Sequence, residues 1–415
     1  MRYEPPRGWA SLPLKRFLSG NDSGTWGDDP TGHGDTLVLR STEQTADGRW
    51  CISDPAPRSL DPKERIRTRL RKGDLIITKS SGSPTHIGKT TLVEGPLAEA
   101  GYAFGNFMQR LRTRRALVPK FLWYVMQADM VRQQIPLVST TTTGLANLNG
   151  TVLGSLVVLV PPHEEQSAIV DFLDRETEQI DELIEKQNRL VTLLRERRRV
   201  WHTSVLSHDS GWPRVALRHI CHAIVDCPHW TPDVVEESEF EAVRSGCIRE
   251  GQYRPEAALL VDEAVYHARN RGTSVEEGDV LFAREAPAGE ACLVPVGRNL
   301  CLGQRTVLLK VDRTRIAPEL VLANLYSQGV QDRFRVEMHG STVGNLRLPV
   351  IRGTVIVVPP TSEQAGLVKD FVEGIARIDA LIEKAEEFIV LAKERRAALI
   401  TAAVTGQIDV IREAS

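Results

Sequence analysis

The chain has 415 residues, of which 41% are hydrophobic and 26% charged, with a formal net charge of −2. That length exceeds one ordinary core, so two or more domains are expected, and no stretch approaches the roughly 18 apolar residues of a membrane span. The six cysteines are scattered, none in Cys-x-x-Cys spacing, and read as free thiols of a cytosolic chain.

The start, MRYEPPRGWA, has no apolar core behind a basic flank, so no signal peptide is expected and the cytoplasm is the expected location. Residues 1–160 hold 21 Lys+Arg against 14 Asp+Glu, whereas 161–207, 208–358 and 359–415 each carry a net of −3. A basic first domain hints at a polyanionic partner. Along it, TLVLRS, GDLIITKS and SLVVLVPP read as strands bounded by Gly, Pro, Ser and Asp. PKFLWYVMQADMVRQQI has helical apolar spacing.

SSGSPTHIGKTT (80–91) looks like a phosphate-binding loop, but Gly82 and Gly88 enclose five residues where that motif needs four. The run after it is strand-like or turn-like where a helix N-terminus is required. After VVLVPP the pattern changes to one long helix. Apolar residues recur there at Leu173, Ile180, Ile184, Val191 and Leu194 in steps of four and three, with Thr177, Gln187 and Arg198 completing the series. Such steps mark a narrow coiled-coil seam; the alternative is an amphipathic helix lying on its own domain.

The second half then repeats the first. VIVVPPTSEQ (355–364) matches VVLVPPHEEQ (157–166), IDALIEK (378–384) matches IDELIEK (180–186), and LAKERRA (391–397) matches LLRERRR (193–199), all at an offset of 198. The second seam reads Phe371, Ile375, Ile378, Ile382, Ala385, Ile389, Ala392 and Arg396. Thr361 with Gln364 suggests an N-cap and capping box, and His163 with Gln166 a poorer version. Upstream the match is looser: Gly8-Trp9 with Gly211-Trp212, Arg40-Ser41 with Arg244-Ser245, Gly73-Asp74 with Gly278-Asp279, and Asn147-Leu148 with Asn345-Leu346. Loops of differing length inside one shared fold explain the drift.

Each helix, at about 40 residues, is roughly 60 Å long, more than a domain of its size covers. Antiparallel pairing of the two is therefore expected, with pseudo-two-fold symmetry. The fold class is α+β: mixed α/β domains at 1–160 and 208–358, each followed by a long helix (161–207 and 359–415). HICHAIVDCPH (219–229) concentrates His219, Cys221, His222, Cys227 and His229, but in no common metal-ligand spacing and with no counterpart in the first copy, so no metal is expected. No nucleophile, base and orienter set recurs in both copies, and no cofactor is expected.

Two variable domains, each followed by PP-x-x-E-Q and an ID-x-L-I-E-K…E-R-R helix, resemble the specificity (S) subunit of type I restriction–modification systems. DCPHWTP (226–232), GTWG (24–27), GSTVGNL (340–346), TTTGLANL (141–148) and LITAAVTGQIDV (399–410) add to the likeness. The resemblance implies a non-catalytic ruler that reads a bipartite site in double-stranded DNA. It also implies two adenine methyltransferase (M) subunits and restriction/translocase (R) subunits as partners. Half-sites about one helical turn apart would present equivalent surfaces to a two-fold protein. Flipping the target adenine would fall to the partners.

The candidate DNA contacts in the first domain are Arg40, Lys79, Ser81, Ser83, His86 and Lys89. In the second they are His229, Thr231, Arg244, Ser245, Arg284 and Arg305, chosen because Lys/Arg read guanine or hold phosphate and Ser/His do either. A coiled-coil scaffold without a DNA role, and a nucleotide hydrolase using Lys89, are the competing readings.

Overall fold

LIIT and VLFA, the apolar runs after the two Gly-Asp pairs, form the strands Leu75–Thr78 and Val280–Ala283, and every residue of both is buried. A strand covered on both faces needs no alternation, which is why these runs are continuous. The computed structural model describes residues 4–82, 86–138, 140–141, 146–207, 211–338 and 344–413. The chain divides into two units: residues 1–186 with 388–415, and residues 187–387.

In the first unit a four-stranded antiparallel sheet runs in the order Leu18–Ser23, Met108–Thr113, Leu75–Thr78, Thr90–Leu92. A three-stranded sheet places Thr36–Leu39 between antiparallel Ala56–Arg58 and parallel Ala103–Phe104. Ala10–Pro13 pairs with Val157–Val160, the strand that leads into the long helix. The second unit repeats all three: Cys221–Asp226, Thr306–Val311, Val280–Ala283, Ala291–Leu293; then Leu259–Val261, Phe240–Val243, Asn299–Leu302; then Arg214–Ala216 with Val355–Val357. Even the irregularity recurs, with a register shift between Leu18 and Gly20 and between Cys221 and Ala223.

The Gly-Asp motifs hold these sheets from within. Asp74 and Asp279 are buried, and a buried carboxylate needs a paired cation. Arg112 binds Asp74 through two bonds of 2.7 and 2.9 Å, and Lys310 lies 3.2 Å from Asp279. Each carboxylate also accepts a backbone N–H, from Arg71 and Glu276 respectively.

The long helices are His163–Ser204 and Thr361–Val404. Each unit's core takes in the start of one and the end region of the other: Ile169 and Leu173 with Ile400 and Val404, and Leu367 and Phe371 with Val205. The helices pack antiparallel. In the second unit Arg195 meets Glu386 at 2.9 Å, Arg198 meets Asp379 at 2.7 Å, and Trp201 covers Gly374, where an added Cβ would lie 2.3 Å from the indole. In the first, Arg396 meets Asp181 at 3.0 Å, which is the same pair under the 198-residue offset. Seam residues Leu173, Ile180, Val191, Leu194, Phe371, Ile378 and Ile389 are buried, while Ile184 and Ile382 are half-buried.

The PP-x-x-E-Q glutamines do not close capping boxes. Gln166 Oε1 accepts from Val118 N, and its Nε2 donates to Ala116 O and Pro161 O. Gln364 does the same with Ala317 N, Arg315 O and Pro359 O. Each carboxamide is therefore a staple between the head of a long helix and the loop before Pro119–Gln127 or Pro318–Leu325. These bonds occupy both of its amide N–H groups and its oxygen, and none of them is the backbone bond that a capping box would make.

Candidate nucleic-acid interface

One end of each main sheet gathers five of the twelve candidates: Lys79 in one unit, and Arg284, His229, Thr231 and Arg305 in the other. The residue after the buried strand is Lys79 in one unit and Arg284 in the other. Both donate their backbone N–H to the tip of a neighbouring turn, Phe107 O and Arg305 O, each at 3.0 Å. Both accept from the leucine of the Asn-Leu pair, Leu148 N at 2.7 Å and Leu346 N at 2.9 Å. Their side chains reach the last residue of the sheet's first strand: Lys79 Nζ donates to Ser23 Oγ, and Arg284 Nη1 donates to Asp226 Oδ2 at 2.6 Å. Burial lowers the pKa of the Lys79 ammonium.

Around Lys79 lies an open depression of about 600 Å³ lined by Asn21, Ser23, Gln109, Asn147 and Asn149, with no carboxylate among the described residues of its wall. Gln109 Nε2 donates to Asn21 Oδ1 and Asn21 Nδ2 to Gly150 O, each at 2.7 Å, so these amides are held in a fixed order. The second unit has Ile224 at the Asn21 position and Val307 at the Gln109 position, by strand register. There the exposed candidates stand together instead: His229 lies 3.9 Å from Asp226, Thr231 Oγ1 accepts from Gln304 Nε2 at 2.9 Å, and Arg305 Nε pairs with Glu285 at 3.1 Å.

Other candidates are turned inward or used locally. Lys89 is 5% exposed, and its Nζ donates to Ser41 O (3.2 Å) and Gln44 O (2.8 Å). Burial lowers its pKa as well, and its ammonium is spent on the protein's own carbonyls. That geometry contradicts a DNA contact by Lys89, just as it denies Lys89 to a bound nucleotide. Ser245 is also buried, its Oγ directed to Ala286 O at 3.3 Å. Arg40 is paired with Glu43 and Asp54, each at 3.1 Å, and Arg244 donates to Ala257 O at 2.9 Å; both brace the tight turn that follows them. His86 is exposed, Ser81 lies half-buried on the short strand Ser80–Ser81, and Ser83 falls outside the described residues.

Sequence reasoning passed over Phe107, which is 60% exposed. It also passed over two stacked pairs: Arg58, at the end of the strand Ala56–Arg58, lies 4.4 Å from the Trp26 ring centre, and Arg269, at the end of the helix Glu263–Arg269, lies 4.1 Å from that of Trp230. Aligning Gly105-Asn106-Phe107 with Gly303-Gln304-Arg305 would have exposed the first. Among the described residues no cluster of three His, Cys, Asp or Glu side chains is placed to hold a metal, and no helix is long and apolar enough to cross a membrane.

Residues 61–193 match the type I restriction modification DNA specificity domain. The putative type I restriction enzyme MjaX specificity subunit of Methanocaldococcus jannaschii is 22% identical over 372 residues, covering 85% of this chain and 82% of that protein. The EcoKI specificity subunit of Escherichia coli strain K12 is 29% identical over 127 residues, covering 30% and 26% respectively. Residues 61–193 thus match the DNA specificity domain of this family, and the chain as a whole is similar to type I specificity subunits. The fold agrees. A solved chain from a study of assembly and conformational transition in a type I R-M system superposes with a TM-score of 0.73 at 17% identity, covering 98% of this chain and all of that one. The HsdS subunit of Thermoanaerobacter tengcongensis gives 0.52 at 18% identity, with 98% and 99% covered. Specificity subunits recognise DNA sequence and are not themselves enzymes.

Proposed function

We propose that this chain is a specificity subunit and reads a bipartite site in double-stranded DNA, one half with residues 1–160 and the other with 208–358. The helical segments 161–207 and 359–415 act as the ruler between them. The observation that carries this reading is the repeated sheet end: Lys79 and Arg284 make the same backbone bonds to Phe107 and Arg305, while the side chains around them differ. One scaffold with two different surfaces suits two different half-sites. The net +7 of the first domain supports stronger phosphate anchoring there than in the second.

The partners of this reading are two adenine methyltransferase subunits and, in a restricting complex, restriction/translocase subunits, all in the cytoplasm. Each long helix keeps exposed apolar side chains off its seam: Leu183, Leu190 and Leu193 on the first, and Leu381, Phe388 and Leu391 at the same repeat positions on the second. Two equivalent apolar rows support two copies of one partner. Replacing residues 1–160 with the first domain of another specificity subunit, then mapping methylated adenines across the genome, tests the scheme. The recognised sequence should change in one half alone. A change in both halves, or in neither, would sink it.

A further inference from the structure

The turn before the last sheet strand ends on Phe107 in one unit and Arg305 in the other, and two of its backbone hydrogen bonds recur in both, although of the two tip residues only Arg305 has a positive φ. Gly105 N donates to Leu39 O and Gly303 N to Val243 O, each at 2.8 Å. A Cβ on Gly303 would stand 2.3 Å from Val243 O, so the strand edge fixes the turn. Two residues on, Phe107 O and Arg305 O accept from Lys79 N and Arg284 N. Phe107 is 60% exposed, and the Arg305 side chain 56%. We propose that these two tips are base readers, Phe107 meeting the C5 methyl of a thymine and Arg305 the O6/N7 edge of a guanine. This rests on the DNA-reading function of the preceding subsection and assigns it to single positions.

The chemistry at each tip favours a base edge over a phosphate. Arg305 sits at φ +66, a conformation that side-chain-bearing residues seldom adopt and that clusters at functional positions. Glu285 takes its Nε at 3.1 Å, which leaves the two Nη groups for a two-pronged contact. A carboxylate at that distance cancels most of the guanidinium's attraction for a phosphate, while the N–H groups keep their geometry for the neutral acceptors of guanine. Gln304, bonded to Thr231, braces the same turn. Phe107 has no charge and no donor to offer a phosphate. The apolar group that the major groove presents is the thymine methyl.

The full chain, assembled with its methyltransferase subunits, would be titrated with duplexes of its mapped site carrying single base analogues. Deoxyuridine removes only the methyl of a thymine, and 7-deazaguanine only the N7 acceptor of a guanine. For the wild type, one thymine position in the first half-site should lose about fourfold in affinity on the deoxyuridine change. One guanine position in the second should lose about tenfold on the deaza change. Phe107→Ala should be indifferent to the first replacement, and Arg305→Ala and Arg305→Gln to the second. Variants that discriminate every analogue as the wild type does would overturn the assignment, as would an Arg305 effect in the first half-site. A wild type with no site preference would overturn the underlying reading, and this one with it.

Discussion

The two units agree in their supports and differ in what those supports hold out. Gln166 and Gln364 make matching sets of three hydrogen bonds, Asp74 and Asp279 pair with matching cations, and Asp181–Arg396 repeats as Asp379–Arg198. At the tips the same backbone hydrogen bonds hold Phe107 in one case and Arg305 in the other, and the Asn21–Gln109 amide pair gives way to Ile224 and Val307. Fixed geometry with changed chemistry lets one framework serve different sequences. The helix ion pairs are also not quite equal, and that inequality gives the sharpest test of how far the likeness extends.

Asp379 binds buried Arg198 and also accepts from Gln252 at 2.9 Å. Asp379→Ala would leave the guanidinium buried without a carboxylate, a loss of about 3 kcal/mol. Asp181→Ala should cost less, because Arg396 keeps a bond to Gln127 Oε1 at 3.3 Å. Urea unfolding of the full chain, followed by a probe in each unit, would show the larger shift in the second unit for Asp379→Ala. Equal shifts would mean that Gln127 contributes nothing and that the two clamps are energetically the same.

The seam was legible because heptad spacing is a property of the helix itself: a residue every three or four positions faces one way whatever lies beyond. The repeat was legible for the same reason, as local sequence written twice. The glutamines were not. Gln166 and Gln364 sit four residues after a proline pair, where local rules suggest a cap, yet each bonds a partner 48 or 47 residues upstream, at Val118 and Ala317. Lys89 also defeats a local reading, since nothing near it in sequence says that two carbonyls 45 and 48 residues away will take its ammonium. Phe107 fails in the opposite sense, because an isolated phenylalanine before a strand reads as core.

The staples give the second test. Gln166→Ala and Gln364→Ala each strip one backbone N–H and two carbonyls of their partner in largely buried surroundings, at a cost of about 2 kcal/mol. Replacement by Glu keeps the acceptor and loses both donors, so it should recover less than half of that. Equal midpoint shifts for the two alanine variants would place the staples in the constant framework. A clear inequality would make one long helix the weaker-seated of the two.

The smallest expected effect at neutral pH comes from a place where the repeat breaks inside the core. His202 stands where the first unit has Ile400, and it is 1% exposed. Its ring lies 4.9 Å from that of Tyr326 and 5.1 Å from that of Phe371, and neither ring nitrogen has a hydrogen-bond partner among the described residues. Burial, with nearby Arg198 adding to it, lowers its pKa from the usual 6.5 to about 3. The folded chain thus holds it neutral while the unfolded chain protonates it below pH 6.5. Its contribution to stability is complete above that value and is lost as pH falls toward 3, amounting to about 2 kcal/mol at pH 5. His202→Leu should therefore stabilise the second unit by about 1 kcal/mol at pH 7, by removing an unpaired buried polar group. It should also gain progressively on the wild type as the solution is acidified. Unfolding midpoints that rise by the same amount at pH 5 and pH 7 would show that the ring is already protonated or hydrated in the folded chain, and the contrast with Ile400 would then be one of shape alone.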